Sequence, residues 1–191
     1  MLSLLRRLRK RRKQKMSDLT LTQLANIASS CPVPKLEIYL PFLNAAMEEG
    51  EIDTPLRQSM FLAQLLHESG DFKWMEEIAS GAAYEGRKDL GNTQKGDGKR
   101  FKGRGPIQLT GRANYKAAGD ALGVDFISSP EIAAFPEYGF RTAVWFWGTR
   151  NLNPLADAGD IKMVTKKING GFNGLEDRKA RYAKAKQVLG A

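Results

Sequence analysis

Apolar residues recur every three or four positions along most of the chain beyond residue 17, as expected for helices that bury one face. The first segments run from Leu21 to Ala28 and from Leu36 to Met47, and Pro41 predicts a break or a new first turn within the second. Thr54-Pro55 is typical of a helix start, and Gly70 predicts the end of that helix. Further helices are predicted near residues 114–122, 130–134, 138–147, 161–168 and 176–189.

The segment from residue 80 to residue 106 interrupts this pattern with seven glycines, which favour turns and short strands over helix. We therefore expect an α+β fold that is predominantly α-helical, in which a small β-hairpin lobe stands beside a helical body. A cleft between two such lobes suits an extended polymer.

Charge divides the chain into two unequal parts. Eight of the 30 Lys and Arg residues fall in residues 1–15, which contain no acid, and the rest of the chain holds 22 basic and 21 acidic residues. The four leucines of this head gather loosely on one side of a helix. We therefore predict a cationic amphipathic peptide at residues 1–15, appended before a second possible start at Met16, and a single domain at residues 16–191.

Three interpretations of the cationic head are open. It binds anionic lipid or lipopolysaccharide, it binds nucleic acid or directs localisation, or it is a solvated tail without a role. We favour the first and expect no nucleic-acid partner. The head lacks the apolar stretch of about 7–15 residues and the small-residue cleavage site of a secretory signal. No run of about 18 apolar residues predicts a membrane span.

Cysteine and histidine each occur once, at Cys31 and His67. A single cysteine allows no disulfide within the chain, which fits a reducing compartment, and we expect Cys31 to be a small buried apolar side chain. One His and one Cys supply no metal-ligand cluster and little support for Ser-His-Asp chemistry. We therefore predict no metal and no cofactor, and a structural role for His67.

Glu68 is the first candidate for chemistry, because it lies at the predicted end of an apolar helix. The partial negative charge of a helix C-terminus and partial burial both favour a protonated carboxyl group, as a general acid at neutral pH requires. Spacing alone favours the alternative of a surface Glu at a frayed helix end. Glu76, Glu77 and Glu85 are candidates for a second carboxylate, and Glu77 could face Glu68 across the turn at Gly70.

Residues 103–115 are the most unusual segment, and their glycines permit close approach of the backbone to a ligand. Gln108 and Thr110 alternate with apolar residues, so in an extended strand they share one face. There an amide and a hydroxyl could orient a water molecule and hold sugar hydroxyls. The alternative is an ordinary glycine-flanked strand. Possible stacking residues are Trp74, Trp145 and Trp147, of which the last two are more typical of core.

Six short motifs follow one another along about residues 36–186. They are Phe61-Leu62-Ala63-Gln64 leading into His67-Glu68-Ser69-Gly70, Tyr84-Glu85-Gly86-Arg87, Leu90-Gly91-Asn92-Thr93-Gln94, Gly96-Asp97-Gly98, residues 101–115 and Ile168-Asn169-Gly170-Gly171. Each is weak alone, but the ordered set resembles glycoside hydrolase family 19, which contains plant-type chitinases and many phage endolysins.

The resemblance implies a lysozyme-like fold with two lobes, in which Glu68 is the general acid. In compact members the base lies nine residues further on, at Glu77 here, and the hydroxyl that holds the attacking water falls on Thr110, with Gln108 beside it. The implied mechanism is inverting, with carboxyl groups about 6.5–9.5 Å apart. Positions that contact substrate or order the cleft fall on Asn114, Tyr115, Asn169, Arg178, Tyr84 and Glu85.

Several loops of the larger plant enzymes are missing, as are their disulfides and chitin-binding module. We therefore expect a phage-type endolysin that hydrolyses β-1,4 bonds of bacterial peptidoglycan, with residues 1–15 contacting lipopolysaccharide. The alternatives are a chitinase acting on chitin oligomers, a lytic transglycosylase, and a membrane-active antimicrobial whose killing depends on residues 1–15. We expect a monomer, made in the cytoplasm of the bacterial host without a signal peptide, that acts on the cell wall in the periplasm or from outside.

Overall fold

The computed structural model describes residues 18–191, and the predicted cationic head lies outside them. Within that range nine α-helices and three short 3₁₀ helices follow one another. The α-helices are α1 (Leu21–Ile27), α2 (Val33–Glu49), α3 (Pro55–Ser69), α4 (Asp97–Arg100), α5 (Arg112–Leu122), α6 (Pro136–Thr149), α7 (Asn153–Asp157), α8 (Ile161–Asn169) and α9 (Leu175–Leu189). The 3₁₀ helices are Ala82–Tyr84, Lys88–Leu90 and Pro130–Ala134.

Helix α3 is the centre of the fold, because ten of its fifteen residues are buried. Its most extensive packing is against α9, and Phe61 meets Trp147 of α6 edge to face at 5.2 Å. Both predicted ends are confirmed. The Thr54 side chain accepts the Arg57 backbone N–H at the start, and Gly70 adopts a left-handed conformation, with φ 57°, at the end.

The predicted break at Pro41 is wrong, since α2 continues through this residue. A proline inside a helix removes one backbone hydrogen bond and costs about 3 kcal/mol. Glu37, whose carbonyl loses that bond, and Pro41 are both exposed, so water can hydrate the freed carbonyl. Burial of Leu36 and Leu43 on the opposite face offsets the cost.

The predicted β-hairpin lobe is not confirmed, because within residues 18–191 the structure forms only isolated antiparallel bridges. One joins Glu76 to Arg104, and the other joins Arg104 to Leu109. Between Arg104 and Leu109 the chain turns back, with positive φ at Gly105 (72°) and Gln108 (57°). The expected extended strand through Gln108 is therefore wrong, because left-handed residues reverse the chain direction where the alternating pattern predicted a straight segment.

The buried apolar side chains form two clusters in the described part of the chain. The larger one joins α1, α2, α3, α6 and α9, and it includes Cys31, which is free and buried as predicted. The smaller one packs α5 against the glycine-rich segment through Phe101, Leu109, Tyr115 and Phe126. None of the helices in residues 18–191 has the combined length and apolar character needed to cross a membrane.

Candidate active site

Glu68 is half-buried in the last turn of α3, where it contacts the buried side chain of Arg178 from α9. Arg178 Nη2 donates to Glu68 Oε1, and Arg178 Nη1 donates to Gln64 Oε1. Gln64 and Glu68 are four residues apart, so they share one face of α3. A single guanidinium therefore holds the carboxylate and the amide in one arrangement, which fits the predicted cleft-ordering position at Arg178 better than direct contact with substrate.

A second contact joins the same two helices. His67 Nδ1 lies 2.6 Å from Asp177 Oδ2, and Asp177 also accepts from Arg181 Nε at 2.7 Å. Partial burial acts to raise the pKa of Asp177, but the hydrogen bonds from His67 and Arg181 outweigh it and lower that pKa. The His67 ring packs on Gly174, where an added Cβ would lie 2.2 Å from its Cε1. This arrangement supports a structural role for His67.

Glu77 lies beyond the turn at Gly70 and is held by neutral donors. Its Oε1 accepts from the Tyr84 hydroxyl at 3.0 Å, and its Oε2 accepts from the Gly103 backbone N–H at 3.1 Å. The backbone of Glu77 is also tied to the glycine-rich segment, because its N–H donates to the Gly103 carbonyl and its carbonyl accepts from Lys102 Nζ. The carboxylate is half-buried and fixed at both oxygens.

The other two candidate carboxylates are engaged elsewhere. Glu76 forms ion pairs with Lys102 at 3.0 Å and Arg104 at 3.3 Å. Partial burial acts to raise the pKa of Glu76, but these cations outweigh it and lower that pKa. Glu85 accepts the backbone N–H groups of Gly96 at 2.6 Å and Gly98 at 2.9 Å, which lowers its pKa. The Glu85 carboxylate thus binds the backbone at the start of α4.

Gln108 adjoins Glu77 at Gly103, and Thr110 is hydrogen-bonded to the Gln108 backbone. A Cβ added at Gly103 would lie 2.6 Å from Gln108 Oε1 and 3.2 Å from Glu77 Oε2, so both side chains approach the same glycine. Thr110 Oγ1 donates to the Gln108 carbonyl at 2.9 Å, and Asn114 Nδ2 donates to the Thr110 carbonyl at 2.7 Å. Gln108 and Glu77 therefore meet at Gly103, while local hydrogen bonds hold Thr110 and Asn114 beside Gln108.

Three further predicted positions differ in exposure. Asn169 is exposed at the end of α8, and Tyr84 is half-buried with its hydroxyl on Glu77. Tyr115 is fully buried; its hydroxyl donates to the Lys102 carbonyl at 2.7 Å and accepts from Arg104 Nη1 at 3.0 Å. The structure thus corrects the expected substrate contact at Tyr115, because its ring lies in the smaller core and its hydroxyl is already used.

The three tryptophans differ in how far they are buried. Trp147 belongs to the main core and Trp145 is partly buried, as their position in a helix predicted. Trp74 is 51% exposed and lies against Gly70, two residues beyond Glu68. It is therefore the tryptophan best placed to stack on a sugar near the candidate acid.

Gln64, Asp177 and Gly103 were not singled out in the sequence as site residues. The sequence could have indicated Gln64 as a site residue, because it is a polar residue within the apolar run that leads to Glu68. Asp177 stands beside Arg178 on α9, and the two side chains contact His67 and Glu68, which are neighbours on α3. Gly103 contributes a backbone N–H, which no side-chain pattern reveals.

Comparisons with known proteins identify relatives of this chain. A family profile described as chitinase class I matches residues 60–178, which is more than half of the chain. The chain is 31% identical over 171 residues to a glycosyl hydrolase family 19 domain-containing protein of Haemophilus influenzae, covering 73% of this chain and 84% of that protein. It is 36% identical over 152 residues to an endochitinase of Arabidopsis thaliana, covering 78% of this chain and 52% of the plant protein.

The chain therefore spans about half the length of the plant relative. Among solved structures, chitinase C from Streptomyces griseus superposes with a TM-score of 0.72 at 22% identity, covering 91% of this chain and 77% of that chain. A bacterial family 19 chitinase superposes with a TM-score of 0.71 at 24% identity, covering 92% and 96%. These likenesses show a shared fold, and the profile match together with the Haemophilus relative shows that the chain belongs to glycoside hydrolase family 19.

Proposed function

We propose that this protein is a phage-type endolysin that hydrolyses β-1,4 glycosidic bonds of bacterial peptidoglycan, with Glu68 as general acid and Glu77 as general base. The observation that carries the acid and base roles is the unequal environment of four neighbouring carboxylates. Glu76 and Glu85 are exposed and engaged by two cations and by backbone amides, whereas Glu68 and Glu77 are half-buried on either side of the Gly70 turn, Glu68 with one oxygen on Arg178.

Glu68 protonates the oxygen of the leaving sugar. Its Oε1 is held by Arg178, which leaves Oε2 as the oxygen that carries the proton toward the substrate. The attachment of Arg178 to Gln64 restricts where this carboxyl group can point, and a fixed donor lowers the entropic cost of reaching the transition state. General acid catalysis of this kind contributes about 10²–10⁴-fold.

Glu77 removes a proton from the attacking water as the water oxygen bonds to the anomeric carbon. A carboxylate has about four lone-pair sites, and Tyr84 and Gly103 use only two of those on Glu77, so a water can still bind. Thr110 and Gln108 are the groups proposed to orient this water. Both carboxylates come from one chain, so a monomer suffices.

Residues 1–15 deliver the enzyme in this proposal. Their eight positive charges would attract anionic lipopolysaccharide, at about 1 kcal/mol for each Lys or Arg near an anionic surface. The protein would be made in the cytoplasm of the bacterial host and reach the wall in the periplasm or from outside. Salt should weaken the attraction. Deletion of residues 1–15 should abolish outside-in killing of intact Gram-negative cells, and unchanged killing would contradict the delivery role.

A second candidate function is that of a chitinase acting on chitin oligomers. The observation in its favour is that the plant relative and both superposed structures are named as chitinases or endochitinases. The same two carboxylates would serve, because the bond that is cleaved also joins amino sugars through a β-1,4 linkage.

Mass spectrometry of the fragments released from purified sacculi tests the main proposal. Hydrolysis of peptidoglycan should yield reducing-end sugars, whereas a lytic transglycosylase would leave anhydro-sugar ends. A Glu68→Gln protein serves as the control for contaminating activity. Cleavage of chitin oligomers combined with no release from sacculi would favour the chitinase, and killing by the Glu68→Gln protein at the parent level would favour a membrane-active antimicrobial.

A further inference from the structure

Helix α8 presents a row of polar side chains to solvent. Lys162 and Lys166 are four residues apart and Asn169 follows three residues later, so the three side chains line one face of the helix. All three are exposed, whereas Val164 is buried on the opposite face and Thr165 is buried at the edge of the row. The row therefore joins two lysines to the asparagine that the family resemblance assigns to the cleft.

The charge of this row is not balanced locally. Residues 161–175 contain three lysines and no acid, between Asp160, whose carboxylate accepts the Met163 backbone N–H at the start of α8, and Glu176. Lys167 donates to the Arg150 carbonyl at 3.0 Å. In the part of the chain that the structure describes, no carboxylate lies within ion-pair distance of Lys162 or Lys166. Both ammonium groups are therefore available to an anion from outside.

The row begins at a loop that contacts α3 at the residue before the candidate acid. Asn169 Nδ2 donates to the Asn173 carbonyl at 3.4 Å, and the next residue, Gly174, packs on the His67 ring. His67 precedes Glu68 in α3. At about 1.5 Å of rise per residue, Lys166 and Lys162 lie about 5 and 10 Å along the helix axis from Asn169. A polymer that is bound at Glu68 and runs along this face of α8 would carry its side branches past the two lysines.

We propose that Lys162 and Lys166 bind the stem-peptide carboxylates of peptidoglycan while the glycan strand occupies the site at Glu68, and so favour peptidoglycan over chitin. This inference rests on the proposed function. Chitin is an uncharged polymer of N-acetylglucosamine. Peptidoglycan carries a peptide on every second sugar, and these peptides end in carboxylates, which accept hydrogen bonds from ammonium groups.

The expected effect is moderate, because both lysines are exposed. Two exposed ion pairs together change binding by about 2- to 30-fold, and salt reduces the effect. The contacts are remote from the bond that breaks, so they act equally in the ground state and the transition state. Their loss should raise KM and leave kcat unchanged.

The test compares the parent with the double variant Lys162→Gln/Lys166→Gln. The matched control is Lys116→Gln/Lys184→Gln, which removes the same charge from exposed positions on α5 and α9. Each protein is assayed on purified sacculi, on sacculi whose carboxylates have been coupled to methylamine, and on neutral chitin oligomers. We expect a higher KM only for the first double variant and only on untreated sacculi.

An equal loss on untreated and amidated sacculi, no loss at all, or the same loss in the control would overturn the proposal. So would weaker binding of the first double variant to phosphatidylglycerol vesicles with unchanged sacculus hydrolysis, which would assign the lysines to a membrane surface. Failure of the proposed function looks different, because the parent itself would then release nothing from sacculi. In that case, cosedimentation of the parent and the two double variants with untreated and with amidated sacculi would still test whether Lys162 and Lys166 bind peptidoglycan carboxylates.

Discussion

Arg178 Nη2, buried in α9, donates a hydrogen bond to Oε1 of Glu68 at the end of α3. The two residues are 110 positions apart in the sequence, so packing of α3 against α9 sets the position of the candidate acid. The neighbouring residues His67 and Asp177 form a second side-chain contact between the same two helices. A substitution that shifts α9 against α3 would therefore move Glu68, even if the substituted residue makes no contact with substrate.

Arg178→Lys should lower both stability and activity. Lysine retains the charge but offers a single ammonium group, which cannot replace the planar fork that reaches both Glu68 and Gln64. We expect a loss of about 2–4 kcal/mol in the free energy of unfolding, since buried polar groups lose partners, and about a 10- to 100-fold lower kcat/KM. Urea unfolding and sacculus hydrolysis measure the two effects. Lys179→Gln, one residue along α9, is the control and should match the parent.

Glu68→Gln should abolish most activity with little change in fold. The amide is nearly the same size but cannot protonate a leaving group, so we expect a loss of about 10²–10⁴-fold. Circular dichroism checks the fold and reducing-sugar release measures the rate. A variant that retains more than about a tenth of the parent rate would disprove the acid assignment.

Glu77→Gln and Glu76→Gln form a matched pair that separates the two candidate bases. Glu77→Gln should lose about 10²–10⁴-fold in kcat, because an amide cannot take a proton from water. Glu76→Gln removes an exposed carboxylate from two ion pairs, which costs about 0–1 kcal/mol of stability and should leave kcat within about threefold. The reverse ranking of the two rates would transfer the role of base to Glu76.

Gly103→Ala should reduce activity through crowding alone. The added Cβ would lie 2.6 Å from Gln108 Oε1 and 3.2 Å from Glu77 Oε2, so at least one of these groups must move. Gly148→Ala in α6 is the control, because its Cβ would meet no atom within 4 Å. The control should gain about 0.5–1 kcal/mol of stability from helix propensity and keep its activity. Equal activities of the two alanine variants would show that the approach at Gly103 is not needed.

Asp97 should make the glycine-rich segment sensitive to acid. Arg112 donates two hydrogen bonds to the buried Asp97 carboxylate, at 2.5 and 2.9 Å, and these lower its pKa. Unfolded Asp97 would titrate near pH 3.9. Its stabilising contribution is therefore complete above about pH 4 and is lost as the pH falls through the lower pKa of the folded state.

Asp97→Asn should cost about 2 kcal/mol at pH 7, since Arg112 loses a charged partner. The difference in unfolding free energy between parent and variant should shrink at pH 3, because the parent has then lost part of this contribution. Urea titrations at the two pH values measure this difference. If the difference in unfolding free energy is the same at pH 7 and pH 3, then the lowered pKa of Asp97 does not contribute to the stability of the folded state.

The limits of α3 and most of the helical pattern were predictable, because they depend on neighbouring residues. Thr54-Pro55 starts α3 and Gly70 ends it, whatever the rest of the chain does. The prediction failed at Pro41 and at Gln108. Burial on the far face of α2 outweighs the cost of the proline, and two left-handed residues turn a segment that alternates like a strand.

The sequence by itself determined the order of the longer helices, the concentration of positive charge in residues 1–15, the family resemblance and the set of four candidate carboxylates. Only the tertiary structure distinguished the partners of those carboxylates. Glu76 and Glu77 are adjacent, yet one faces Lys102 and Arg104 while the other faces Tyr84 and Gly103. The reason is that local sequence sets backbone conformation, whereas the environment of a side chain depends on groups that packing brings from distant positions.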